Sequence, residues 1–205
     1  MISADQATMA IHNFVRVANI ITNLDMILNQ AKNLSLTAKN ARVVALRAGD
    51  VAFGFKPITN FIDEFSTQTI KTTAEISQLS NQLFSLALAV VRCADLQFQL
   101  TKANDIANHA CISQLQQQSY ADLKQKTRAL EQAIFSLESY FEDIQKQMRS
   151  AEYIAVTSRV EASNAGEFSH SLESVSDFIT DSARKIKAAV NENLQEICAL
   201  RGGLR

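Results

Sequence analysis

The feature that most constrains the fold is a heptad pattern of apolar and small residues that occurs twice. In the first copy these residues alternate in steps of four and three from Ile20 to Ala48. This is the spacing of a helix that packs in a coiled coil. We call such a row of core-facing residues a seam. A second seam runs from Leu137 to Ala165, and each of its positions lies 117 residues after a position of the first. One seam repeated at one offset predicts an internal repeat of a helical unit.

Each seam ends in the same short turn signal, Ala-Gly-acid. The two turn glycines, Gly49 and Gly166, are separated by the same offset as the seams (166 − 49 = 117). Glycine suits the left-handed residue just after a helix, and an acid suits the first turn of the next helix. We therefore predict two helical hairpins, with tips near residues 49–55 and 166–168.

Turn residues are otherwise scarce, because the 205 residues include five Gly and one Pro. A chain of this length with so few turn residues is expected to form long helices. The returning helices carry their own seams, from Ile62 to Cys93 and from Val175 to Ala189, after which the register shifts by one residue. Thr69 and Thr72 lie in the first of these and need hydrogen-bond partners if they are buried.

These patterns predict an all-α protein, a long antiparallel four-helix coiled-coil bundle made of two tandem hairpins. A single hairpin cannot bury its apolar stripe, whereas two hairpins side by side can. We expect one bundle over residues 1–205, with hairpin 1 over 4–93 and hairpin 2 over 119–202. Residues 94–118 lose the seam and contain Asn, Asp and Ser, which favour caps and turns. We predict that they form the crossover, with room for a short helix.

Charge and cysteine content narrow the class of protein. The formal net charge is −1, so no general attraction to nucleic acid or anionic lipid is implied. Three widely spaced cysteines are not a disulfide framework and suit a reducing compartment. The N-terminus lacks the layout of a signal peptide, and the longest apolar run, Leu86–Val91, is too short to span a bilayer. A cytoplasmic protein without a membrane span, and without nucleic acid as a partner, is expected.

No group of residues has the arrangement of a catalytic or metal site. His109 and Cys111 would need further ligands to hold a metal ion. Ser169-His170-Ser171 offers a nucleophile and a base, but no orienting acid or oxyanion site accompanies them. Solvated or small buried roles are the better interpretation of both groups. We expect no enzyme activity, no cofactor and no metal.

The two tip sequences share a further pattern around their turns. The first copy contains Asn40, Ala41, Ala45, Arg47, Ala48, Gly49, Asp50, Gly54 and Phe55. The second copy contains Val160, Glu161, Ala162, Ala165, Gly166 and Glu167. At these positions the two tips resemble the motif of the cytoplasmic signalling tip of bacterial methyl-accepting chemotaxis proteins. The resemblance covers about 25 residues per copy. It implies a non-enzymatic module of chemotaxis signal transduction that docks a histidine kinase or its coupling protein.

Members of that family form the bundle by dimerising two identical hairpins, whereas this chain contains both hairpins. The resemblance therefore implies a single-chain mimic of the receptor dimer tip, expected to be monomeric, with self-association left open. The resemblance assigns partner binding to residues that flank the turns Gly49 and Gly166, and to Leu36 and Tyr153 further up the same faces. These residues are Leu36, Val43, Arg47, Phe55, Tyr153, Val160, Glu161 and Leu172.

The chain also departs from the family motif. Val44 replaces the motif Glu in copy one, and Asn164 replaces the motif Arg in copy two. The family has a large aromatic residue in a contact between dimers, and this chain has a cation at both equivalent positions, Lys32 and Arg149. Pro57 and Ser174 stand where the family has a valine that faces the coupling protein.

The alternative to a signalling module is a structural or scaffold bundle that kept the fold but lost kinase control. Glu131-Gln132 is the nearest acid–amide pair to a methylation site and is better interpreted as a solvated pair.

Overall fold

The structure, a computed structural model, describes residues 2–107 and 110–202, with side chains described except at 2–11, 14, 107 and 110. It confirms the all-α fold of two tandem hairpins, with no strand in the described ranges. Four long helices account for nearly all of it. They are α1 (Ile2–Ala48), α2 (Phe55–Ala107), α3 (Ala110–Ser163) and α4 (Ser169–Gly202). Helices α1 and α2 form hairpin 1, and α3 and α4 form hairpin 2.

Both hairpins turn at the repeated glycine. A short 3-10 turn, Gly49–Ala52, joins α1 to α2, and a second, Gly166–Phe168, joins α3 to α4. Gly49 has φ 63° and Gly166 has φ 58°. This left-handed conformation is sterically unfavourable for residues with a Cβ atom, which explains the need for glycine. Pro57 falls in the first turn of α2, where its missing N–H leaves no helical hydrogen bond unmade.

The prediction of a long crossover over residues 94–118 is wrong. Helix α2 continues to Ala107 and α3 begins at Ala110, while Asn108 and His109 lie outside the described residues. The polar side chains of this stretch bond one another between the two helices instead of ending them. Gln116 Nε2 donates to Thr101 Oγ1 at 3.0 Å, and Ser113 Oγ donates to Asn104 Oδ1 at 3.3 Å. Hairpin 1 is thus longer at its α2 end, and hairpin 2 at its α3 end, than predicted.

The structure divides into two compact units, of which the tip unit comprises Thr22–Ser77 and Ser139–Leu194. In this unit α1 bonds α2 through Ser35 and Asp63, and α2 bonds α3 through Thr69 and Gln147. Helix α3 bonds α4, and α4 bonds α1. Helices α1 and α3 therefore lie diagonally across the tip unit. Its buried core includes Leu24, Ile27, Leu34, Ile62, Ile76, Phe141, Ile144, Met148, Ile179 and Ile186.

Toward the turns the core of the tip unit is built from small residues. The α1 seam narrows to Ala38, Ala41 and Ala45, and all three are buried. Hydroxyl groups fill part of the remaining space. Several of them have hydrogen-bond partners, whereas no partner is recorded for the buried Ser182 Oγ among the described residues. The Oγ atoms of Ser158 and Ser176 lie 2.6 Å apart, and Thr69 Oγ1 donates to Gln147 Oε1 at 3.0 Å. Buried hydroxyls of this kind need such partners, because an unpaired polar group costs stability.

The crossover unit comprises Met1–Ile21, Gln78–Glu138 and Gln195–Arg205. Two ion pairs connect its helices, Arg16 with Glu196 at 3.1 Å and Arg201 with Glu138 at 3.0 Å. Its apolar core includes Val17, Ile20, Leu83, Leu130, Ile134, Leu137, Ile197 and Leu200.

By length and composition, one helix among the described residues could cross a membrane. An 18-residue window within Phe55–Ile106 reaches a mean hydropathy of 1.4, and 6% of it is buried. The sequence expectation rested on the shorter uninterrupted apolar run Leu86–Val91, whereas this longer window also includes polar residues. A single such helix is weak evidence for a membrane span.

Candidate functional site

The tip unit exposes an apolar strip on α1. Leu36, Val43 and Leu46 are all exposed, and Val43 retains 49% of its accessible surface. Their spacing of seven and three residues places them on one side of the helix. They point away from the alanine seam, whose members are buried in the core. We call these three residues the α1 face.

An equivalent strip lies on α3. Tyr153, Val156 and Val160 are exposed, Val160 by 58%, and we call them the α3 face. Tyr153 corresponds to Leu36, and Val160 corresponds to Val43, through the offset of 117. Because α1 and α3 are diagonal in the tip unit, the two faces are separate surfaces. The structure thus exposes four of the apolar residues that the sequence assigned to partner binding, two in each hairpin.

Two other predicted contact residues are not on the surface. Phe55 and Leu172 are both 0% exposed, so their assignment as surface contacts is wrong. They occupy equivalent positions in the first turns of α2 and α4, where the seams of α1 and α3 contain only small side chains. A large apolar residue there fills the end of the core. Phe55 and Leu172 were selected because of the motif, but because they are buried their role is in packing.

The basic and acidic residues of the motif, Arg47 and Glu161, differ in their exposure to solvent. Arg47 is exposed, and no hydrogen bond or ion pair is recorded for it within the described part of the chain. Glu161 is half-buried, and its carboxyl group lies against Gly54, just before α2. A Cβ atom on Gly54 would be 2.6 Å from Glu161 Cδ. Glu161 thus connects hairpin 2 to hairpin 1, while Arg47 stays available to solvent.

Sequence reasoning missed an exposed aromatic residue at the first tip. Phe53 is 74% exposed in the turn between α1 and α2, and Val51 in the same turn is also exposed. The motif directed attention to Phe55, two residues later. The signal was present, since an apolar residue inside a short turn has no helix face on which to be buried. Phe53 and Val51 extend the apolar surface of hairpin 1 onto its tip.

Four of the positions at which the chain departs from the family are exposed. They are Lys32, Pro57, Arg149 and Ser174. Arg149 Nη2 donates to Gln145 Oε1 on its own helix at 2.9 Å. Exposed cations are solvated where the resemblance implies an aromatic contact.

The described residues contain no cluster of three His, Cys, Asp or Glu side chains that could hold a metal ion. His109 lies outside the described residues, and Cys111 is exposed. His170 is exposed beside half-buried Ser169 at the start of α4.

The fold and its exposed faces define an all-α protein of two tandem helical hairpins with apolar surfaces beside its tips. No family model, no curated protein and no solved structure matches the chain.

Proposed function

We propose that the chain is a chemoreceptor-like cytoplasmic signalling module that acts by binding and not by catalysis. Its partner in this proposal is a chemotaxis histidine kinase or the coupling protein of that kinase. The docking region is the part of the tip unit next to the two turns. The observation that carries the proposal is the pair of exposed apolar faces at equivalent positions of α1 and α3.

Packing within the chain gives no reason for these faces. The core of the tip unit is already filled by the seams, and the α1 and α3 faces lie on the opposite sides of their helices. Apolar residues grouped on one side of a surface helix indicate an interaction site more often than isolated ones do. Both faces also lie beside the motif that resembles the kinase-control tip of chemotaxis receptors. Position and chemistry together support a protein partner.

The second candidate function is a structural or scaffold bundle that kept the fold without kinase control. Lys32 and Arg149 favour it, because both are exposed cations where the resemblance implies an aromatic contact. The exposed faces count against it, since a scaffold does not require them.

A binding experiment with the full chain separates the two candidates. Val43→Asp combined with Val160→Asp places one carboxylate on each face and disables both. We expect binding of the kinase or coupling protein to weaken at least tenfold, about 1.4 kcal/mol. The matched control is Phe135→Asp, because Phe135 is an exposed apolar residue of the crossover unit. Circular dichroism and melting temperature establish that both variants are folded.

If the wild-type chain binds neither protein, the scaffold function replaces this proposal. If the wild type binds and the double variant binds equally well, the faces are not the docking surface.

A further inference from the structure

The two hairpins differ in the charge beside their exposed faces. Between Met26 and Ala48, α1 carries four cations and no acid. These are Lys32, Lys39, Arg42 and Arg47. The equivalent part of α3, residues 143–165, carries three cations and three acids. The repeat therefore preserves the fold while the charge of the two surfaces differs.

Charge pairing increases this difference. On α3, Lys146 pairs with Asp143 at 3.2 Å. Glu152 of α3 pairs with Lys187 at 2.8 Å, and Arg159 pairs with Asp177.

On α1, Lys39 makes one long contact with Asp63 at 3.9 Å, and Arg42 donates to the neutral side chain of Asn60. No ion pair is recorded for Lys32 or Arg47 within the described residues. Positive charge therefore remains uncompensated beside the α1 face.

The apolar surfaces also end differently. The α1 face continues through Leu46 to the exposed turn residues Val51 and Phe53. At the equivalent positions hairpin 2 has Ser163, Phe168 and His170. Phe168 is only half exposed, and the other two are polar.

The end of α3 is also occupied by its own side chains. Ser163 Oγ and Asn164 Nδ2 both donate to the carbonyl oxygen of Val160, at 2.7 and 3.2 Å. The apolar surface of hairpin 2 therefore ends at Val160.

We propose that hairpin 1 alone carries the principal docking surface and that it binds one acidic protein surface with an apolar centre. An acidic amphipathic helix has this chemistry, because an apolar stripe at helical spacing fits the α1 face and flanking carboxylates fit Lys32 and Arg47. The inference rests on the proposed function for the location of docking. It adds a stoichiometry of one partner per chain, although the fold is repeated, and it adds the charge of that partner.

A second copy of the chain is a poorer occupant. A two-fold interface would bring the same basic α1 faces together, and like charges oppose such a contact. An anionic membrane would also attract the cations and the exposed Phe53, so it enters the experiment as a competing outcome. Protein is favoured because Leu36, Val43 and Leu46 share one helix face, on which the exposed Lys39 lies between Leu36 and Val43, and another helix can align with such a face.

Two synthetic helical peptides of about 20 residues test the inference on the full chain alone. They share leucines at amphipathic spacing, and the flanking residues are Glu in one peptide and Lys in the other. We expect the Glu peptide to bind with one-to-one stoichiometry by calorimetry and to shift the methyl NMR signals of Leu36, Val43 and Leu46. The double variant Lys32→Glu, Arg47→Glu should bind the Glu peptide at least tenfold more weakly than the wild type does. Arg149→Glu with Asn164→Glu, at the equivalent positions of hairpin 2, should change this binding less than twofold.

Several outcomes would overturn the inference. They are two-to-one binding, equal shifts on the α3 face, equal binding of the Lys peptide, or no binding of either peptide. Co-sedimentation with anionic phosphatidylserine vesicles that depends on Lys32 and Arg47, without peptide binding, would assign the surface to lipid instead. Unchanged melting temperatures in both charge variants establish that the fold is intact.

The peptide and kinase experiments distinguish failure of the proposed function from failure of this inference. Peptide binding without kinase or coupling-protein binding removes the proposed function and keeps the acidic-partner surface. The opposite outcome is also distinct. If the chain does not prefer the Glu peptide, but binds the kinase and loses that binding in the Val43→Asp, Val160→Asp variant, the proposed function stays and the acidic-partner surface is removed.

Discussion

The carboxyl group of Glu161, on α3, lies against Gly54, the residue that precedes α2. This contact joins the two hairpins of the tip unit beside the first turn. It places a negative side chain at the N-terminal end of a long helix, where the helix dipole is positive. Gly54 is not one of the glycines with positive φ, so its backbone does not require glycine. The space taken by Glu161 is the reason for having no side chain at position 54.

A double-mutant cycle measures this relationship. Gly54→Ala should force the Glu161 carboxylate out of its place, because the new Cβ atom would be 2.6 Å from Cδ. In a Glu161→Ala background the same substitution meets no carboxylate and should stabilise the chain slightly, as Gly→Ala does at compatible sites. We expect a coupling free energy of about 0.5 kcal/mol or more from urea unfolding. Equal effects in both backgrounds would show that the contact has no energetic role.

The two turn glycines are expected to tolerate side chains poorly for a different reason. A Cβ atom on Gly49 or Gly166 would meet no atom within 4 Å, so only the backbone opposes substitution. Gly→Val at either position should cost about 1–2 kcal/mol. Gly→Asn should cost less, because Asn tolerates the left-handed region. Thermal melting measures the effect, and Gly202→Ala is the control, since it too has open space but no positive φ. A Val variant that melts like the wild type would refute the strain argument.

A buried asparagine gives a third prediction. Asn193 is fully buried, and its Oδ1 accepts from Asn23 Nδ2 at 3.1 Å. No partner is recorded for Asn193 Nδ2 in the described structure. Asn23→Ala should cost about 1–3 kcal/mol, because it leaves the Asn193 oxygen buried without a donor.

Asn193→Ile should instead be neutral or stabilising. It introduces the residue found at the equivalent buried position of hairpin 1, Ile76. Chemical denaturation compares the two variants. The explanation fails if Asn193→Ile destabilises the chain as much as Asn23→Ala does.

Asp181, on the surface of α4, gives a prediction about pH. A hydrogen bond from Lys185 and a second from Arg184 lower the pKa of Asp181 below its ordinary value of 3.8. Any stability from these contacts is present above the unfolded pKa and is lost as the pH falls through the folded pKa. A carbon-13 NMR titration should show a midpoint below 3.8. Lys185→Ala should raise this midpoint more than Arg184→Ala, and the reverse order would contradict the assignment.

Oligomeric state follows from how the tip unit closes its core. Each helix there contacts two neighbours from the same chain, so no second chain is needed to cover the seams. We expect a monomer by light scattering and a melting temperature that does not change with protein concentration. An obligate dimer that exchanges hairpins between chains would show the opposite behaviour.

The sequence alone determined the helices, their core-facing seams and the two turns. The heptad spacing from Ile20 to Ala48 specifies which side of α1 is buried, because side-chain direction in a helix depends only on local periodicity. Gly49 and Gly166 could likewise be placed from sequence, since a left-handed residue after a helix is a local requirement. The prediction of the crossover failed because Asn and Ser only weaken a helix, and here the bond from Ser113 Oγ to Asn104 Oδ1 gives both side chains a partner on the neighbouring helix.

Only the tertiary structure decided which motif residues face solvent. Arg47 and Phe55 belong to one motif, yet the first is exposed and the second is buried, because burial depends on which helices lie next to each position. The inward position of Glu161 depends on the approach of hairpin 2 to Gly54, a contact between residues 107 positions apart in the chain (161 − 54 = 107). A sequence period orients a residue about its own helix axis. It does not specify the neighbouring helix, and that neighbour determines whether the residue packs or binds.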